Sequence, residues 1–256
     1  MNTKMNSKLT KALLLLVLIV TINLNAQTKT VEFLSTDSLK ITADLYLQNN
    51  DKSTPFIILF HRARWSRGEY IEIAPKLNKL GFNCMAIDQR SGDTVNEIPN
   101  ETSKRAQSKG LKVDYIDTYP DLLAAIDYAK TNYAKGKLII WGSSYSSSLV
   151  LYIAGQRNDI DGVLAFSPRE SFECVGKPSN WVGESAKNIS VPVFITSAKG
   201  EEANWKPIFK NIRSSIKQSF IPETEGNHGS RALWSEFDDS SEYWKAVEEF
   251  LKFFDG

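Results

Sequence analysis

The stretch from Lys137 to Leu151, KLIIWGSSYSSSLVL, restricts the fold more than any other part of the chain. Four apolar residues, Leu138 to Trp141, run into Gly142, Ser144 follows two residues later, and Leu149, Val150 and Ile153 then recur at helical spacing. A short continuous apolar run reads as a strand buried on both faces, and the spacing after it reads as a helix. Only a sharp turn can join them. Gly142-Ser143-Ser144-Tyr145-Ser146 is thus a G-x-S-x-S variant of the G-x-S-x-G elbow, in which a strained turn lifts a serine hydroxyl above the sheet edge. The flanking positions must be small because strand and helix backbones approach closely there. Ser146 keeps the size, though not the glycine. Ser144 is the candidate nucleophile, against the ordinary alternative that a serine cluster caps a helix.

The rest of the chain supplies the context such an elbow needs. Val31 to Leu34 and Leu39 to Leu47 alternate apolar and polar residues about Ser35 to Ser38, the pattern of an antiparallel hairpin. Pro55 to His61 and Phe82 to Asp88 read as buried strands, with Ile71, Ala74, Leu77 and Leu80 at helical spacing between them. Strand, helix, strand is a right-handed parallel unit. Gln89 to Lys109 is polar, without periodicity, and reads as a long loop. Tyr119 to Tyr133 reads as a helix with Pro120 near its start. After the elbow come strands at Asp161 to Phe166, Val191 to Ser197 and Ser219 to Pro222, a helix through Trp205, Ile208, Phe209 and Ile212, and a closing helix over about Ser240 to Phe254. Pro168 to Ser190 reads as an irregular small lid. Asp88 and Arg90 read as a structural pair fixing the turn after their strand.

Lys4, Lys8 and Lys11 precede the apolar run Ala12 to Val20, and the stretch closes at Leu24-Asn25-Ala26. This is the pattern of a secretory signal peptide, too short in its apolar core for a comfortable membrane span. Residues 27–256 then form one α/β domain of an exported protein, periplasmic or secreted, with no stable membrane insertion after cleavage. The formal charge of the chain is +1, and removing the leader's lysines takes it to −2. So neutral a balance argues against a nucleic-acid partner. Cys84 and Cys174 are the only cysteines, which makes no disulfide framework, and no Cys/His spacing suggests a metal site. Cys84, inside an apolar pattern, reads as a core residue. No cofactor is called for; the expected partner is a small acyl substrate.

A serine nucleophile at neutral pH needs a base within hydrogen-bond reach, and the chain has two histidines, His61 and His228. His61 ends the first central strand. His228 lies between glycines, after the last strand, where the base of a serine hydrolase of this topology belongs. On the elbow, on His61-Arg62-Ala63 in place of an H-G-x loop, on Asp88-Gln89-Arg90-Ser91-Gly92 in the manner of a D-x-R-G turn, and on His228, the chain resembles the α/β-hydrolase superfamily, in particular its small esterases and dienelactone-hydrolase-like members. The resemblance runs over the whole chain after the leader. It implies a mostly parallel sheet with an antiparallel N-terminal hairpin, helices on both faces and a minimal lid. It departs from the pattern at Ser146 and at Arg62, each in place of a glycine.

The resemblance also implies roles. Ser144 takes the acyl group, His228 is general base and then acid, and the backbone amides of Tyr145 and Ala63 receive the oxyanion. Three glutamates compete as triad acid: Glu201, Glu202 and Glu170. The acid of this family sits just beyond the strand corresponding to VPVFITS, which selects Glu201. Trp65, Arg62, Phe172 and Trp181 are candidates to contact substrate in a shallow pocket. Arg62, Arg64, Trp65 and Arg67 either hold an anionic substrate or form a solvated loop neutralised by Glu69 and Glu72. The expected activity is hydrolysis of a small ester, lactone or related acyl compound. A peptidase or acyltransferase on the same triad, or a catalytically silent binding protein, are the alternatives.

Overall fold

The computed structural model describes residues 27–254, so the proposed leader lies outside the described residues. One eight-stranded sheet runs in the order β1-β2-β4-β3-β5-β6-β7-β8. β1 (Gln27–Leu34) and β2 (Lys40–Leu47) form the expected antiparallel hairpin, and β2 lies antiparallel to β4 (Asn83–Ile87). From there on every pair is parallel: β4 with β3 (Phe56–Phe60), β3 with β5 (Leu138–Ser143), then β6 (Gly162–Phe166), β7 (Val193–Thr196) and β8 (Lys217–Phe220).

The apolar runs are buried on both faces because each face carries helices. Phe56, Ile58 and Phe60 face one core with α3 (Tyr119–Asn132), α4 (Tyr145–Ala154), α5 (Trp181–Ala186) and α6 (Glu202–Asn211). Ile57 and Leu59 face the other, with α1 (Ile73–Lys79) and α7 (Ser240–Leu251). This two-period alternation within one apolar strand is what a sheet covered on both sides requires.

Three expectations need correction. The polar segment read as a long loop contains α2 (Glu101–Ser108), whose first turn is capped by the Asn100 side chain accepting from the Ser103 amide at 2.8 Å. The helix shows no apolar stripe because polar stitches hold it: Arg105 donates to Thr42 Oγ1 at 2.7 Å and to Glu32 at 2.5 Å. The 168–190 segment is not wholly irregular either, since α5 lies within it. There the Glu170 carboxylate accepts from the Val182 and Gly183 amides at 3.0 and 2.7 Å, at the helix N-terminus where negative charge is favoured. Finally, Asp88 and Arg90 do not pair. Asp88 binds Arg67 at 2.8 Å, while Arg90 reaches Asp121 at 2.6 Å on α3 and Asp37 at 2.6 Å in the hairpin turn, tying three elements together.

Candidate active site

Ser144 follows β5 with φ 58° and ψ −124°, a left-side conformation that only a firmly held turn imposes on a residue with a side chain. The turn is held on both sides. Its amide donates to Phe166 O on β6 at 2.8 Å, and a Cβ on Gly142 would sit 2.4 Å from the Ser146 carbonyl oxygen, so position 142 admits only glycine. Ser146, by contrast, uses its hydroxyl: it donates to His61 O at 2.6 Å and accepts from Gln89 Nε2 at 2.7 Å. The departure from glycine at 146 thereby bolts the elbow helix to the ends of β3 and β4.

His228 Nε2 lies 2.8 Å from Ser144 Oγ, and His228 Nδ1 lies 2.5 Å from Glu201 Oε1. A carboxylate only accepts, so Nδ1 carries the proton and Nε2 is left to accept from the serine. Glu201 Oε2 accepts a second bond, from Ser167 Oγ at 2.6 Å, and that hydroxyl accepts in turn from the Gly229 amide at 2.9 Å. Burial raises the Glu201 carboxyl, but the bonds from His228 and Ser167 prevail and hold it below the usual range. The other two glutamates are engaged elsewhere: Glu202 pairs with Lys206 at 3.0 Å, and Glu170 caps α5.

His61 is buried and plays a different part. The Gln89 amide donates to its Nε2 at 3.0 Å, which puts the ring proton on Nδ1, facing Arg62 O at 2.7 Å. Burial pushes its pKa down to about 4, so it stays neutral and fixes the loop after β3. In that loop the Arg62 amide is taken by Glu69 Oε2 at 2.8 Å. Ala63 is half-buried, and among the described residues its amide has no protein acceptor; nor does that of Tyr145, the first residue of α4.

The loop rich in arginine is not a solvated one. Arg67 is consumed by Asp44 and Asp88, each at 2.8 Å, and Arg62 lies over the Trp65 ring at 4.6 Å while donating to His228 O at 3.3 Å. Only Arg64 is exposed among them. Glu69, read as a neutralising surface charge, has no exposed surface at all. Trp65 stacks on Trp234 with centroids 5.1 Å apart and lines neither of the cavities that Phe172 and Trp181 line.

Phe172 does line one of them, a cavity of about 470 Å³ shared with Tyr115, Ile116, Cys174 and Val175. The Tyr115 ring stacks 4.5 Å from that of Tyr145, the residue after Ser144, although neither Tyr145 nor a residue of the triad lines the cavity itself. Trp181 belongs to the other, a recess of about 400 Å³ where Tyr119, Tyr152 and Arg90 also stand. Tyr115, Ser143, Ser167 and Glu69 are not among the residues that sequence reasoning selects; only Ser143 carries a signal, as one of the small residues of the elbow. Both cysteines are free, Cys84 buried as expected and Cys174 exposed. Among the described residues no group of three or more His, Cys, Asp or Glu side chains converges on a point.

No protein-family model matches the sequence, and no curated protein matches it. Its fold does have solved counterparts. The chain is similar to an esterase of Pyrococcus furiosus, with a TM-score of 0.70 at 18% identity over 91% of this chain and 95% of that one. It is similar to a dienelactone hydrolase from Anabaena variabilis, with a TM-score of 0.67 at 16% identity over 89% and 98%. It also resembles Est1E from Butyrivibrio proteoclasticus, solved with ferulic acid bound, with a TM-score of 0.63 at 15% identity over 88% and 98%. At such identities likeness speaks for architecture, and together with the strand order it establishes that this chain has the α/β-hydrolase fold.

Proposed function

We propose that the protein is an exported serine hydrolase that cleaves a small carboxylic ester, lactone or related acyl compound. The observation that carries this reading is the unbroken line of hydrogen bonds from Glu201 through His228 to Ser144, at 2.5 and 2.8 Å. Ser144 Oγ attacks the acyl carbon while His228 Nε2 takes its proton, and the negative charge moves to the carbonyl oxygen. The Tyr145 amide, at a helix N-terminus, and the Ala63 amide are the donors for that oxygen. Collapse expels the alcohol, which leaves with the proton held by His228. Water then attacks the acyl-serine by the same route, and Ser144 recovers its proton. Glu201 remains a carboxylate throughout, fixing the imidazole tautomer and balancing the imidazolium.

The acyl group is assigned to the cavity walled by Tyr115, whose ring stacks on that of Tyr145. Its walls of Tyr115, Ile116, Phe172 and Val175 favour a short or aromatic acyl chain, in keeping with the ferulic acid bound to Est1E. The leader-like segment before Gln27 supports export. A fluorophosphonate probe and a panel of nitrophenyl esters of increasing acyl length test the reading. Labelling of the wild type, its loss in Ser144→Ala, and fastest turnover of short or aromatic acyl esters are expected. An unlabelled, inactive wild type would sink the hydrolase reading in favour of a binding protein, and turnover confined to long-chain lipids would overturn the acyl assignment.

A further inference from the structure

Behind the nucleophile lies a carboxylate that acyl transfer through Ser144 does not use. Glu69, on the turn Arg67–Tyr70, is fully buried. Its Oε2 accepts from the Arg62 amide at 2.8 Å, next to Ala63 in the loop after β3. Its Oε1 accepts from Ser143 Oγ at 2.6 Å, next to Ser144 in the elbow. That same serine oxygen accepts from the Ser230 amide at 2.9 Å, two residues beyond His228. Between His228 and Ser230, a Cβ on Gly229 would lie 2.5 Å from Ser143 Oγ, so the histidine loop is pressed onto this junction. Three segments that must hold register to within a fraction of an ångström are tied together through one buried carboxylate and the serine hydroxyl it holds.

Resting on the serine-hydrolase reading, we propose that Glu69 is a positioning residue: as a carboxylate it locks the oxyanion loop, the elbow and the histidine loop in register, and when it takes up a proton that register fails and turnover falls. The geometry makes the two protonation states unequal. A carboxylate satisfies both incoming donors, whereas a carboxylic acid must turn one oxygen into a donor. On Oε2 the added proton faces the Arg62 N–H, which cannot move aside. On Oε1 it forces the Ser143 hydroxyl to turn, leaving the serine's own proton without its acceptor. The titratable groups facing Glu69 are the Arg62 guanidinium and the Tyr70 phenol; the elbow presents a hydroxyl and the histidine loop an amide. Burial pushes the Glu69 carboxyl up to about 7, against the pull of the Ser143 and Arg62 bonds, which puts the change inside the working range of a hydrolase.

The test is the acid limb of kcat/KM between pH 4.5 and 8.5 with nitrophenyl acetate, in the full chain. In the wild type, two protonations are expected, one of them that of Glu69, so that the logarithmic slope exceeds 1 over the roughly tenfold of rate that the Glu69 carboxylate controls. In Glu69→Gln a single protonation and a slope of 1 are expected, on a plateau lowered by roughly tenfold through the misplaced amide donor. Ser143→Ala serves if Glu69→Gln does not fold: losing a bond that favours the carboxylate should move the Glu69 protonation to higher pH. A wild-type limb with one protonation, two protonations retained in Glu69→Gln, or an unmoved limb in Ser143→Ala would each overturn the proposal. Fluorophosphonate labelling of the wild type at pH 8.5 keeps the two questions apart, because it fails only if the hydrolase reading itself fails.

Discussion

Replacing Glu201 by glutamine exposes how the candidate triad is wired. The amide can stand in two ways. With its oxygen toward His228 Nδ1 the productive tautomer survives, but the NH2 group then points at Ser167 Oγ, which already accepts from Gly229, and the Ser167 proton loses the acceptor it has at 2.6 Å. With the amide reversed, Ser167 donates as before, and the NH2 group faces Nδ1 and drives the ring proton to Nε2. That tautomer cannot take a proton from Ser144. One buried donor left unmet costs about 1–3 kcal/mol, so the unproductive arrangement should dominate by roughly 5- to 150-fold. Together with the lost charge, Glu201→Gln should approach the ~10⁴-fold loss seen when a serine-protease triad acid is neutralised. Removing the Ser167 hydroxyl removes the bias. The double variant Ser167→Ala/Glu201→Gln should therefore be more active than Glu201→Gln alone, by roughly the 5- to 150-fold of the tautomer contribution. Steady-state kcat/KM on a nitrophenyl ester, with circular dichroism as a check on folding, measures it. A double variant no faster than the single one would refute the assignment of Ser167 as the group that sets the amide's orientation.

Two further predictions concern stability. Ser146→Gly restores the more usual elbow residue yet strips the His61 carbonyl of its 2.6 Å donor and puts glycine in α4, a loss of about 2–3 kcal/mol, or roughly 5–10 °C in Tm; an unchanged or higher Tm would mean that the hydroxyl bolt is idle. Arg90→Ala leaves Asp121, which has no exposed surface, without its cation, and chemical denaturation should show a loss of about 3–5 kcal/mol. A loss below about 1 kcal/mol would show that Asp121 finds another partner.

The parts of this molecule that follow a period were legible in its sequence. The apolar runs of β3, β5 and β7 announced buried parallel strands, and the small residues around Ser144 announced a turn that brings backbones together. That His228 stands beside Ser144 was accessible because the chain has two histidines and one of them follows the last strand in a glycine-flanked loop, whereas Glu201 was selected over Glu202 and Glu170 only by the resemblance. What escaped has no period. α2 owes its existence to a side-chain cap and to arginine bonds across to the hairpin, neither of which leaves a stripe. Glu69 looks like any surface acid among arginines, and the hydroxyl that shows otherwise is 74 positions away in the chain. Burial of a charge is decided by distant partners, so local pattern cannot show it.

The strand order carries one more consequence, for the way the protein can be divided. β1 to β4 all precede α3 and lie on one side of the β3–β5 seam; β5 to β8 follow it and lie on the other. Ser144, Glu201 and His228 belong to the later half, while Ala63, Glu69 and Gln89 belong to the earlier. The exposed link at Lys135 to Lys137 is where the chain passes between them. Cut there, the molecule would divide into a half that holds Ser144, Glu201 and His228 and a half that holds Ala63 and Glu69, so that the proposed ester cleavage would report on whether two polypeptides have found each other.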